Sequence, residues 1–174
     1  QLKTLRLPRP ITDKGLQHVG TIASLRELGL SRTEISDAGL QQIAGLQKLR
    51  HLHLEHTNIG DRGIQHLQNL VELRELKLES ADVSDAGLVH LKALDRLRVL
   101  DLIFTEVTDA GLVHLKGLAQ LEELLLLGTN VTDAGREHLQ GLRSLKHLVL
   151  NETRVTDTGV EKFRQALPNC EIAR

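Results

Sequence analysis

The feature that most constrains this chain is a register that repeats every 24 residues. Asp13, Asp37, Asp61, Asp85, Asp109, Asp133 and Asp157 stand at that step, and so do Gly15, Gly39, Gly63, Gly87, Gly111, Gly135 and Gly159. Leu25, Leu49, Leu73, Leu97, Leu121 and Leu145 keep the same spacing. Self-similarity at a fixed short period is the signature of a stacked array. The unit reads L-x-x-L-x-L-x-x-T-x-[IV]-[ST]-D-x-G-L-x-x-[LI]-x-x-L.

Two periods lie inside each unit. The segment holding Leu49, Leu52 and Leu54 ends in alternation, which predicts a short strand with one buried face. Leu40, Ile43 and Leu46 are three apart, which predicts one or two helical turns. Thr12, Ser36, Ser84, Thr108, Thr132 and Thr156 precede the aspartates and are expected to cap those turns. The aspartates would then favour the helix dipole. The recurring glycine is a poor helix former, so it implies close backbone approach between neighbours.

One strand and one short helix bury no core alone, but copies stacked side by side do. Parallel strands sit about 4.8 Å apart, whereas packed helices need about 8–10 Å. The array therefore curves, with strands inside and helices outside. The expected class is an α/β solenoid, a single domain over residues 1–174 of about seven 24-residue units, with a degenerate capping unit at 160–174. There Phe163 replaces a helix leucine, and Pro168, Asn169 and Glu171 fall at strand-leucine or flanking positions. At the other end Leu2, Leu5 and Leu7 lead into a unit one residue short, with Pro8 and Pro10 in its turn. An open strand edge, from a cut in a longer protein or a shield absent here, is the expectation there.

The pattern resembles leucine-rich repeats, specifically the type with T-D-x-G-L after the strand, as in the substrate-recognition half of F-box ubiquitin-ligase proteins and in bacterial repeat proteins with shorter units. The resemblance covers essentially the whole chain. Units of 24 residues are shorter than the usual F-box kind, and Thr33, Thr57, Thr105, Thr129 and Thr153 stand where those proteins usually carry Cys or Asn. The bacterial kind is therefore favoured. The resemblance implies a horseshoe with a parallel sheet on the concave face and short helices on the convex face, gripping a protein or peptide. Apart from it, the threonine column predicts a ladder, each hydroxyl donating to one turn and accepting from the next. Ala81 would break that ladder once.

Composition narrows the function classes. The 22 basic and 23 acidic residues leave a net charge of −1, without the basic excess of a nucleic-acid binder. Phe104 and Phe163 are the only aromatics, so base-stacking platforms are excluded. No apolar run is long enough for a transmembrane helix. Cys170 is the single cysteine, and no leader is visible, which favours a cytoplasmic location. No phosphate-loop, dinucleotide, zinc-protease or nucleophile-elbow motif occurs. Catalysis is not expected, and no cofactor is implied.

Function is expected on the strand positions that point away from the core. They form four rows. One is Glu27, His51, Glu75, Val99, Glu123 and His147; the next is Gly29, His53, Lys77, Asp101, Leu125 and Val149. A third is Ser31, Glu55, Glu79, Ile103, Leu127 and Asn151; the last is Arg32, His56, Ser80, Phe104, Gly128 and Glu152. Later units present an apolar zone of Val99, Ile103, Phe104, Leu125, Leu127 and Val149, with Asp101 among them, large enough to signal a partner or self-association. Phe104 is its natural anchor. Earlier units present His51, His53, Glu55, Glu75 and Lys77 as a polar zone. Two further readings stand beside the interaction module. His51, His53 and Glu75 have the donor types of a surface zinc site, and the array would serve equally as a spacer or recognition part of a larger enzyme. The Arg26, Arg50, Arg74 and Arg98 column is expected to pair with neighbouring glutamates. Arg136, where other units carry an aliphatic residue, is expected to be the weakest-packed helix position.

Overall fold

The structure is a computed structural model that describes residues 1–174. Eight three-residue strands form one parallel sheet in chain order. They are β1 (Thr4–Arg6), β2 (Glu27–Gly29), β3 (His51–His53), β4 (Glu75–Lys77), β5 (Val99–Asp101), β6 (Glu123–Leu125), β7 (His147–Val149) and β8 (Glu171–Ala173). From β2 onward each residue pairs with the one 24 positions on, as in Glu27 with His51 and Val99 with Glu123. The sequence period and the sheet register are the same quantity.

Helical segments return the chain to the next strand. These are α1 (Asp13–Val19), α2 (Asp37–Ile43), α3 (Asp61–Ile64), α4 (Asp85–Leu88), α5 (Asp109–Leu112), α6 (Arg136–Leu139) and α7 (Asp157–Ala166). In the middle units the α turn tightens to 3₁₀ after four residues, at Gln65–Leu67, Val89–Leu91 and Val113–Leu115. Between sheet and helices, the leucine columns form one continuous core. Leu28, Leu52, Leu76, Leu100, Leu124 and Leu148 are each fully buried there. In the last unit Ile172 takes the leucine position opposite Leu148, and Phe163 is buried beneath α7.

Two expectations are corrected. Six of the seven aspartates of the column reach forward to the next coil, and the last, Asp157, pairs with Arg174 instead. Asp85 Oδ1 accepts the Thr108 backbone N–H at 2.8 Å, and its Oδ2 accepts the Thr108 hydroxyl at 2.6 Å. The same pair of bonds joins Asp13 to Ser36, Asp61 to Ser84, Asp109 to Thr132 and Asp133 to Thr156. Asp37 makes only one, to the Gly60 N–H at 2.7 Å, because glycine has no hydroxyl. Ser84, Thr108, Thr132 and Thr156 do both jobs: each hydroxyl donates across the coil boundary and, as expected of a cap, accepts a backbone N–H of its own helix at 3.0–3.3 Å. Thr12 and Ser36 make no capping bond at all.

The glycine column exists for the same carboxylates. A Cβ at Gly63, Gly87 or Gly135 would lie 2.5, 2.6 or 2.7 Å from Oδ1 of the aspartate one coil earlier. Even alanine would collide with the staple.

The threonine ladder is the second correction. The hydroxyls of Thr33, Thr57, Thr105, Thr129 and Thr153 donate 2.5–2.7 Å to the carbonyl three residues back, within their own turn. The intervening residue takes a left-handed backbone, with φ of 52–61° at Arg32, His56, Phe104 and Glu152. That corner folds the hydroxyl onto its own unit. At Ala81 the backbone N–H alone serves Leu78, at 3.0 Å.

Arg136 is half-buried, whereas Leu40, Ile64, Leu88 and Leu112 at the same position are fully buried. The first turn of that unit is 3₁₀ over Asp133–Gly135, and the buried His138 Nδ1 nearby lacks a hydrogen-bond partner.

Asp85→Ala strands the Thr108 donors and should cost about 1–3 kcal/mol of stability in denaturant unfolding. Gly111→Ala should also destabilise, since its Cβ would meet the Asp85 carboxylate. With both changes together the loss should fall short of the sum by at least about 0.5 kcal/mol. Strict additivity would show that glycine and carboxylate do not form one joint.

Candidate functional site

Strand alternation turns one residue of each pair inward and leaves the flanking two on the concave face. The first two rows are lateral neighbours across β2–β7, and the other two lie in the turns just past the strands, joined by bonds such as Phe104 N–H to the Leu127 carbonyl at 2.9 Å. In the apolar zone Val99, Ile103, Leu125, Leu127 and Val149 are half-buried by one another, since strands about 4.8 Å apart pack side chains flank to flank. Phe104 stands above them at 50% exposure, the most open of the chain's four exposed large hydrophobic residues.

Phe104 is held from two sides. Its own φ is +52°, which fixes the turn. Its ring lies where a side chain of residue 128 would be: a Cβ on Gly128 would come within 2.5 Å of Phe104 Cε1. Gly128 also has φ of +72°, a conformation that costs non-glycine residues energy. A slot vacated by one unit is thus filled by the ring of the unit before.

Asp101 sits deeper than its place in an outward row implies and is only 5% exposed. Its carboxylate folds back two residues, and Oδ1 accepts the Ile103 N–H at 3.0 Å. This is an Asx-type turn at the strand end. Burial pushes its carboxyl above the ordinary range, and the charges of Glu79 and Glu55 add to the rise. The Ile103 bond and Lys77 only partly oppose this.

The polar zone is tied together internally. Glu75 Oε1 meets His53 Nε2 at 3.0 Å and Lys77 Nζ at 3.3 Å. Burial alone would raise the Glu75 carboxyl, but Lys77 and then His53 outweigh it and hold it below the ordinary value. His56 Nε2 lies 3.5 Å from Glu79, and the Ser31 hydroxyl donates to Glu55. His51, His53, Glu55, Glu75 and Lys77 are all half-buried. His51, His53 and Glu75 do not assemble as a zinc set. No three metal-capable side chains converge anywhere on the chain. Within the trio the histidine–glutamate pair is shared with an ammonium, which repels a cation.

Elsewhere half of the arginine column pairs with glutamates, Arg50 with Glu72 at 3.7 Å and Arg98 with Glu122 at 3.5 Å, whereas Arg26 and Arg74 make no ion pair. Cys170 is half-buried, and burial together with Glu171 pushes its thiol up to about 11. It is protonated at neutral pH and is no ready nucleophile.

Sequence reasoning missed three things here. The Asp101 turn had a signal, an aspartate directly at the end of a strand triplet. The Phe104–Gly128 fit had one too, glycine in a slot that other units fill. The separation of Glu79 and Glu55 from any permanent cation had none, because side-chain direction decides it.

The comparisons agree with this geometry. The family model described as Leucine Rich repeat matches residues 22–44, 45–67 and 141–163. No curated protein matches the chain. Among solved structures, an internalin of Listeria monocytogenes (inlF) aligns with a TM-score of 0.84 at 24% identity, over 99% of this chain and 47% of its own. A second Listeria monocytogenes internalin, C2, gives 0.77 at 24% identity, over 97% and 69%. A leucine-rich-repeat protein of Leptospira interrogans gives 0.69 at 20%, over 99% and 49%. This chain thus spans about half the length of the first and third. The chain has the leucine-rich-repeat fold, with the parallel sheet and short helices of the internalin-like solenoids.

The raised Asp101 carboxyl fixes the sign of one measurement. A charge held against its will in the fold destabilises it above the titration range, and the penalty fades as falling pH protonates the group. Asp101→Asn keeps the acceptor for Ile103 and removes the charge. It should raise the Tm at pH 7, by about 2–4 °C for each kcal/mol relieved. The advantage should disappear as pH drops through the carboxylate range. A variant less stable than wild type at pH 7 would contradict the burial argument.

Proposed function

We propose that this chain is a protein-interaction module that grips a protein or peptide segment on its concave sheet face. The observation that carries the reading is Phe104. Phe104 is a half-exposed aromatic in the turn just past β5, and its left-handed backbone and its seat against Gly128 hold it in place before any partner arrives. Little side-chain entropy is left to lose on association. Ile103, Leu125 and Leu127 surround it, so water is excluded from its base. Buried aromatic anchors with an apolar surround carry most interface energy. The polar zone of His51, His53, Glu55, Glu75 and Lys77 adds orientation rather than affinity, because its charges are already partly paired.

Selection of a displayed library of random twelve-residue peptides against the immobilised chain tests this. Phe104→Ala should weaken the enriched peptides at least about tenfold, with the Tm unchanged, since alanine inherits the same backbone conformation. Enriched peptides that bind Phe104→Ala and Leu127→Ser as well as wild type would remove the concave face from the reading. Sedimentation of wild type and Phe104→Ala at several concentrations would show whether a second copy of the chain takes the same place.

A further inference from the structure

The inner face is far more acidic than the chain as a whole. Its four rows over β2–β7 and their turns hold seven carboxylates and only two permanent cations, a balance of −5, while the entire chain carries −1. The excess is not evenly spread. It concentrates where Glu55, Glu79 and Asp101 meet, directly beside the apolar zone.

Two local facts make that spot unfinished. Asp101 is more than nine-tenths buried and only its Oδ1 has a hydrogen bond within the protein, while Oδ2 keeps its opening to solvent, where an incoming donor can reach it. Lys77, its neighbour across the β4–β5 pair, turns to Glu75 instead, at 3.3 Å. The remaining help is modest: a serine hydroxyl on Glu55, and His56 at 3.5 Å from Glu79.

We infer that the concave face takes a polypeptide segment in which an arginine or lysine lies two or three residues from a bulky apolar side chain. The cation sits over Asp101 and Glu79, with Glu55 one strand beyond, and the apolar group sits against Phe104 and Leu127. The spacing follows from the sheet. Glu79 and Leu127 are two strands apart in one row, about 10 Å, which an extended segment crosses in about three residues. Arginine fits better than lysine. Its guanidinium is weakly hydrated and forms forked bonds to carboxylates. The charge complementarity also speeds encounter.

This inference rests on the concave-face reading above, and the peptides selected there separate the two. The peptides should carry arginine or lysine two or three positions from a bulky apolar residue. Asp101→Asn combined with Glu79→Gln should weaken them about tenfold or more, while the Tm does not fall. Binding should also weaken as salt rises from about 50 to 500 mM. Peptides that depend on Phe104 but show no basic bias, or that ignore the Asp101 and Glu79 changes, would overturn the cation site and leave the docking reading standing. Enrichment of acidic peptides would overturn it as well. Absence of any enrichment that depends on Phe104 would overturn both.

Discussion

Everything in this molecule depends on how one coil is joined to the next. Strand hydrogen bonds form one side of each joint, but three residues per strand are too few to define it. The other side is the carboxylate staple, which joins each aspartate of the column before Asp157 to the N–H, and usually the hydroxyl, of the residue 23 positions on. Its existence demands three residue types at once: a carboxylate to accept, a serine or threonine to donate, and a glycine to make room. That requirement explains a sequence column of D-x-G with a hydroxyl before it better than helix capping does. Capping would tolerate alanine in place of the glycine.

Once the coils are locked at a fixed offset, the inner surface becomes a grid. A residue's neighbours are those 24 positions away and those two positions along its own strand. Chemistry on such a grid is built by rows rather than by loops. The step from polar to apolar between β4 and β5 is a property of single substitutions in otherwise equivalent units. Lys77 gives way to Asp101, Glu79 to Ile103 and Ser80 to Phe104. The scaffold stays constant, and these substitutions set what it can hold.

Much of this was readable from the chain alone. The period set the register, alternation set the strand face, and the leucine columns set the core, because each follows from backbone geometry. What escaped was the direction taken by polar side chains. Asp85 and its counterparts sit near helix starts, and sequence alone does not tell a forward reach from a local cap. The threonine hydroxyls were assigned to the wrong neighbour for the same reason: the left-handed corner at Phe104 or His56 turns them back on their own unit. Asp101 looked like a surface residue until its Asx turn drew it in. Phe104 was found because it is the one aromatic among the outward positions, but its seat on Gly128 needed coordinates.

The single bond between Asp37 and Gly60 gives the array a seam. Cohesion in a stacked solenoid is pairwise between adjacent coils, so no distant contact compensates for a thin joint. Thermal breathing concentrates where the latch is lightest, between the second and third coils. The block beyond that seam contains β3 to β8, and with it Glu55, Glu79, Asp101 and the aromatic anchor. Fraying of the first coils therefore leaves the gripping surface whole, and the opening coils act as a loose sleeve on a firmer body.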